Sequence, residues 1–142
     1  MSSVGWVMWC ARLRMMIAAM LLACPFAAAA DAALPPARDL IAEAKSAGQS
    51  GMPLIVLVSL AGCPHCEVVR RSHLLPLLRD AAVANRPVIR QIEINGREVL
   101  RNFDGREITH AEFARRHRLK IAPVVFFFDG KVVLLAEPLI GS

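Results

Sequence analysis

Cysteine is scarce in this chain, and its spacing excludes most of what cysteine usually builds. Only four occur in 142 residues, and Cys63 and Cys66 form the one Cys-x-x-Cys. With no second such pair, the roughly four ligands of a structural zinc site are not assembled. A c-type haem attachment needs histidine directly after the second cysteine, where this chain has Glu67. There is also no set of further cysteines to make a disulfide framework. Long apolar runs are missing too. The longest, Met15 to Ala30, is 16 residues interrupted by Pro25, short of the roughly 20 needed to span a bilayer. No internal repeat is evident. The formal net charge of +5 is modest and its carriers are scattered, which argues against a nucleic-acid partner.

The N-terminal 30 residues have the pattern of a secretory signal. Arg12 and Arg14 precede the apolar run, and Ala28-Ala29-Ala30 suits cleavage. The expectation is a signal peptide over residues 1–30, export to the periplasm, and no stable membrane insertion after cleavage. A retained anchor is the lesser reading. Another is a lipoprotein processed at Cys24 in "LLAC", which Pro25 directly after it disfavours. Cleavage after Ala30 would remove Cys10 and Cys24 and leave 15 basic against 12 acidic residues.

Residues 31–53 read as a linker, Asp31 to Pro36, followed by a helix in "ARDLIAEAKSAG" that places Leu40, Ile41 and Ala44 on one face and stops at Gly48. The main domain is expected over residues 54–142. "LIVLVSL", Leu54 to Leu60, is a continuous aliphatic run that suits a central strand buried on both faces. From Pro64 to about Asp80 the spacing predicts helix, with Pro76 imposing a kink or a break. "PVIRQIEIN" reads as a second strand ended by Asn95-Gly96. "GREVLRNFDGRE" reads as an irregular excursion. In "THAEFARRHRLK", Thr109 and Glu112 form a capping box, and the arginines complement the helix C-terminus. "APVVFFFDGKVVLL" predicts a hairpin, Val124 to Phe128 and Lys131 to Leu135, turning at Asp129-Gly130.

The chemistry concentrates at "CPHC". A cysteine where a strand meets a helix faces unsatisfied backbone N–H groups, which favour thiolate and bring its pKa from about 8.5 toward roughly 3.5 to 7.5. Cys63 is then the candidate nucleophile and Cys66 the resolving thiol. Pro64 can open the helix, and His65 adds polarity beside the sulfurs, so both are candidates to tune the pair. Two other readings stand beside redox chemistry: a copper or zinc site built from Cys63, Cys66 and a histidine, and an inert crosslink. His73, His110 and His117 read as ordinary helix or surface polar residues.

"CPHC" after an aliphatic strand, with "IAPVVFFFDGK" about sixty residues on, resembles the thioredoxin superfamily, and more narrowly its exported thiol-disulfide oxidoreductases. The resemblance covers roughly residues 54–135. It implies an α/β, three-layer sandwich with a central mixed sheet, no cofactor, and protein thiols or disulfides as partners, with a membrane electron donor or acceptor in addition. It also implies that Pro123 is cis beside the cysteines and that Ala122 offers backbone pairing to a bound polypeptide. Pro64-His65 is like the dipeptide of a strongly oxidising member, while the short chain is more like small reductases. Three departures stand out. Tryptophan before the first cysteine is replaced by Gly62. A buried acid six residues before it is replaced by Leu57. The C-terminal helix expected after the hairpin is not seen before Ser142. The competing expectations are a metal-binding chaperone using the same thiols for copper, and an inactive truncated fragment.

Overall fold

A computed structural model describes residues 33–80 and 85–141. The expected signal segment, with Cys10 and Cys24, lies outside the described residues. The six residues of β1, Leu54–Ser59, are all buried, as an uninterrupted aliphatic run requires. The strand lies between two neighbours. β2, Val88–Glu93, runs parallel to it from Leu54↔Val88 to Ser59↔Glu93. β5, Val124–Phe128, runs antiparallel, with Leu54 opposite Phe128. A short strand β6, Leu139–Ile140, pairs with Val124 and Val125 at the far edge, giving the order β2-β1-β5-β6.

Alternation along β1 divides the core in two. Leu54 and Val56 join a cluster with Leu40, Ala44 and Phe113 on one face. Ile55 and Leu57 join Leu74, Leu75 and Ile89 on the other. The first face is covered by α1, Leu40–Gln49, and by the helix His110–Arg116. The second is covered by one long helical segment beginning at Pro64. Three layers result because each face of a buried sheet must be shielded. Each fully buried aliphatic side chain contributes about 1.5–3 kcal/mol. This is the thioredoxin-like architecture that the motifs implied.

The helical segment has three parts: α2 Pro64–Val68, a π segment Val69–Leu74, and α3 Leu75–Asp80. The expected kink at Pro76 takes the form of this π segment. Leu75 N–H donates to Arg70 C=O, five residues back. The wider turn accommodates a proline ring that would collide with a carbonyl in tight α geometry.

Four expectations need correction. Residues 96–107 are not irregular throughout, because β3, Val99–Arg101, pairs with β4, Glu107–Thr109, in a small separate sheet. Three-residue strands are too short to show an alternating pattern. The second hairpin strand over Lys131 to Leu135 does not form. Asp129 Oδ1 accepts from the N–H groups of Lys131 and Val133, both at 2.8 Å. That local bonding replaces a ladder, leaving one isolated bridge, Phe128↔Leu134, before the chain reaches β6. Gly48 does not stop its helix. It lies inside α1, where a Cβ would sit 2.7 Å from the Gly130 Cα, so its role is close approach to the loop after β5. The end of the expected linker is also structured: Gln91 N–H donates to Pro35 C=O and Ala37 N–H to Gln91 C=O, both at 2.9 Å. The expected N-cap of the helix after β4 is present, with Thr109 Oγ1 accepting from Glu112 N–H. That helix is α4, His110–Arg116.

Candidate redox site

Strand β1 ends at Ser59, and a turn at Ala61-Gly62 brings the chain to Cys63, the N-cap of α2. Gly62 has φ +75, a left-handed backbone that a side chain resists. The tryptophan expected by resemblance would be strained there. Pro64 occupies the first helical position, where its missing N–H costs no bond.

Cys63 and Cys66 form a disulfide with Cα atoms 5.3 Å apart. Their environments differ. Cys63 is partly exposed, whereas Cys66 is 1 % exposed. The Cys66 N–H donates to Cys63 Sγ at 3.1 Å. That donor would stabilise a thiolate at Cys63 once the bond is reduced. One sulfur is thus open to solvent and the other sealed beneath it, and thiol-disulfide exchange depends on such access. Pro64 and His65 are both exposed on the outer side of the pair.

Ala122 and Pro123 come from the opposite part of the chain. Their peptide is cis, and the Ala122 carbonyl oxygen lies 4.0 Å from Cys63 Sγ. Neither backbone group of Ala122 has a backbone partner among the described residues. Two concavities flank this contact. One, about 370 Å³, runs from Leu60 over Cys63 to Glu67 and Arg70. The other, about 380 Å³, is apolar, and Pro123, His73, Leu77, Phe127 and Leu139 contribute to it.

The structure adds polar groups that the motif did not reveal. Arg70 donates from Nε to Gln91 Oε1 at 3.0 Å and from Nη2 to Ser59 Oγ at 3.3 Å, and it pairs with Glu67. Glu67 also pairs with Arg71. Ser59 is fully buried at the end of β1, and one Glu93 carboxylate oxygen, Oε2, is buried without a hydrogen-bond partner. Leu57, by contrast, sits in the core and offers no proton acceptor. The i,i+3 and i,i+4 spacing of Glu67 with Arg70 and Arg71 was a legible signal. The convergence of Ser59 and Gln91 on Arg70 was not.

The remaining histidines divide. His110 is a helix residue, as expected, and a buried one: Nδ1 accepts from Glu93 N–H at 3.2 Å, and Nε2 donates to Ala37 C=O at 3.0 Å. His117 packs on Phe113, ring centroids 4.2 Å apart. Among the described residues no three of His, Cys, Asp and Glu gather as a metal would require. No described helix is long and apolar enough to cross a membrane.

A mixed four-stranded sheet between helical layers, with a Cys-x-x-Cys disulfide at a strand-to-helix junction, defines a protein of thioredoxin-like fold. Solved structures similar to the chain include the oxidised C-terminal domain of DsbD from Neisseria meningitidis. That likeness has a TM-score of 0.45 and 20% identity, covering 70% of this chain and 78% of the other. A thioredoxin-fold protein from Helicobacter pylori matches with a TM-score of 0.45 and 13% identity, covering 61% of this chain and 58%, less than two thirds, of the other. No family model and no curated protein sequence matches.

Proposed function

We propose that the chain is an exported thiol-disulfide oxidoreductase that exchanges disulfides with protein thiols through Cys63 and Cys66. The observation carrying this reading is the asymmetric pair: a partly exposed Cys63 sulfur that accepts the Cys66 N–H and adjoins Ala122, above a buried Cys66. In the reducing direction, Cys63 thiolate attacks a substrate disulfide and forms a mixed disulfide, releasing one substrate thiolate. Cys66, losing its proton, then attacks Cys63 Sγ. The second substrate thiolate leaves, and the protein keeps the disulfide. Reversal of the same steps oxidises a dithiol.

Ala122 supplies free backbone groups for an extended polypeptide, and the apolar groove at Pro123 accepts a side chain of it. Pro64 and His65 tune the pair from its solvent side. The arginine-led, apolar segment over residues 1–30 supports export to the periplasm, where an electron donor or acceptor in the membrane would reset the pair.

The test is a redox titration of the couple against glutathione and dithiothreitol. A potential between about −270 and −120 mV is expected, a span of roughly 7 kcal/mol for two electrons. In parallel, Cys66→Ser should trap substrate proteins on Cys63, since the resolving attack is removed. Recovering no mixed disulfide from a periplasmic extract would overturn the assignment of protein thiols as substrates.

A further inference from the structure

One cavity in the described structure lies away from the cysteines. It lies on the face of the sheet covered by α1 and α4, has a volume of about 670 Å³, and counts Phe103, Phe113, Phe126 and Phe128 among its mostly apolar lining. That volume falls in the range of roughly 300–1,000 Å³ typical of small-molecule sites. Neither Cys63 nor Pro123 contributes to it.

Two observations give the cavity a chemistry. The first is charge. Every charged residue lining it is a cation, Arg118 and Lys120, and no carboxylate lines it. Both cations are exposed at its rim, and neither takes part in an ion pair among the described residues. The neighbouring Arg115 and Arg116, by contrast, are both committed to Glu112.

The second is backbone conformation. Among the described residues only two that are not glycine have positive φ, Arg118 at 55 and Val132 at 68. They come from different loops, and both line this cavity. Arg118 follows the end of α4, with its N–H donating to Arg115 C=O and the next N–H, of Leu119, to Ala114 C=O. Glycine is the usual occupant of such a position because it has no Cβ to oppose it. Glycine there would close the helix at lower cost, but would remove the rim cation. A strained residue where an unstrained one would serve the fold points to a role beyond the fold.

We propose that this cavity binds a free long-chain carboxylate, its acyl chain among the phenylalanines and its carboxylate paired with Arg118 and Lys120. The ring-lined interior removes the chain from water, and two unpaired cations beside it select the sign of the head group. The site is separate from the cysteine pair and does not depend on the redox reading.

The experiment is calorimetric titration of the full chain with sodium dodecanoate below its micellar concentration, beside dodecanol and dodecyltrimethylammonium, with amide shifts followed by NMR. Saturable binding of one dodecanoate per chain is expected, with shifts at Arg118, Leu119 and Val132, and affinity about tenfold above that of the cationic amphiphile. A double variant, Arg118→Gln with Lys120→Gln, should lose about tenfold for dodecanoate while holding dodecanol unchanged. The head-group series on the unaltered chain stands whether or not that variant folds. Absence of saturable binding, equal affinity for the cationic amphiphile, or shifts confined to the Pro123 groove would each overturn the proposal. So would one ligand per two chains, which would mean that a second copy shares the cavity.

Discussion

Gly62 shows how one residue constrains the site. It has positive φ, and nothing lies within 4 Å of where a Cβ would be, so the whole cost of a side chain there is backbone strain. Gly62→Ala should therefore lower stability by about 1 kcal/mol, read as a reduced urea midpoint with unchanged slope. A second prediction concerns His117. Burial foremost, then the Arg116 guanidinium, holds its pKa below the ordinary 6.5, with Asp104 opposing. The folded protein thus binds this proton less readily than the unfolded chain. Stability should decline as pH falls below about 6.5 and level off once the lower folded value is passed. The ring is largely open to water, so the step is small. Thermal melts of His117→Gln between pH 8 and pH 5 should lack it. The decline at lower pH, where Glu112 and Asp104 lose charges held by hydrogen bonds from Arg116 and Arg106, should remain.

At the scale of elements, His110 ties three segments together. It opens α4, accepts from the end of β2, and donates to the carbonyl of Ala37 ahead of α1. Replacing it with leucine keeps the volume but leaves a Glu93 N–H and an Ala37 C=O without their partner. His110→Leu should cost roughly 3 kcal/mol, measured by urea unfolding. A loss within experimental error would mean that water replaces the ring. The long helical segment carries a related lesson. The sequence marked Pro76 as a kink or a break, and a π turn placed just ahead of it keeps the helix continuous, so Leu74 and Leu75 both reach the core.

Across the whole molecule, burial is uneven. Val133, Leu135, Leu139 and Ile140 are each 58–64 % exposed. Large exposed apolar groups attract apolar partners. The protein should bind a hydrophobic dye such as ANS, and Val133→Glu with Leu135→Glu should lower that fluorescence about twofold. Unchanged fluorescence would place the dye elsewhere. Neither substitution touches the grooves at Cys63 and Pro123.

Features written in short-range spacing were legible without coordinates. The aliphatic run at Leu54, the Cys-x-x-Cys after it, the Thr109 cap and the strand at Val124 each depend on neighbours within a few residues, where periodicity and capping act directly. The short hairpin at Val99 escaped notice because three residues hold no period, and the expected strand at Lys131 was overridden by a single aspartate side chain. Other features exist only once distant segments meet. Burial of His110, convergence of Ser59 and Gln91 on Arg70, approach of Ala122 to Cys63, and a phenylalanine-lined cavity with cations at its rim all join residues far apart in the chain. Strand register and layer packing set those meetings, and no local pattern encodes them.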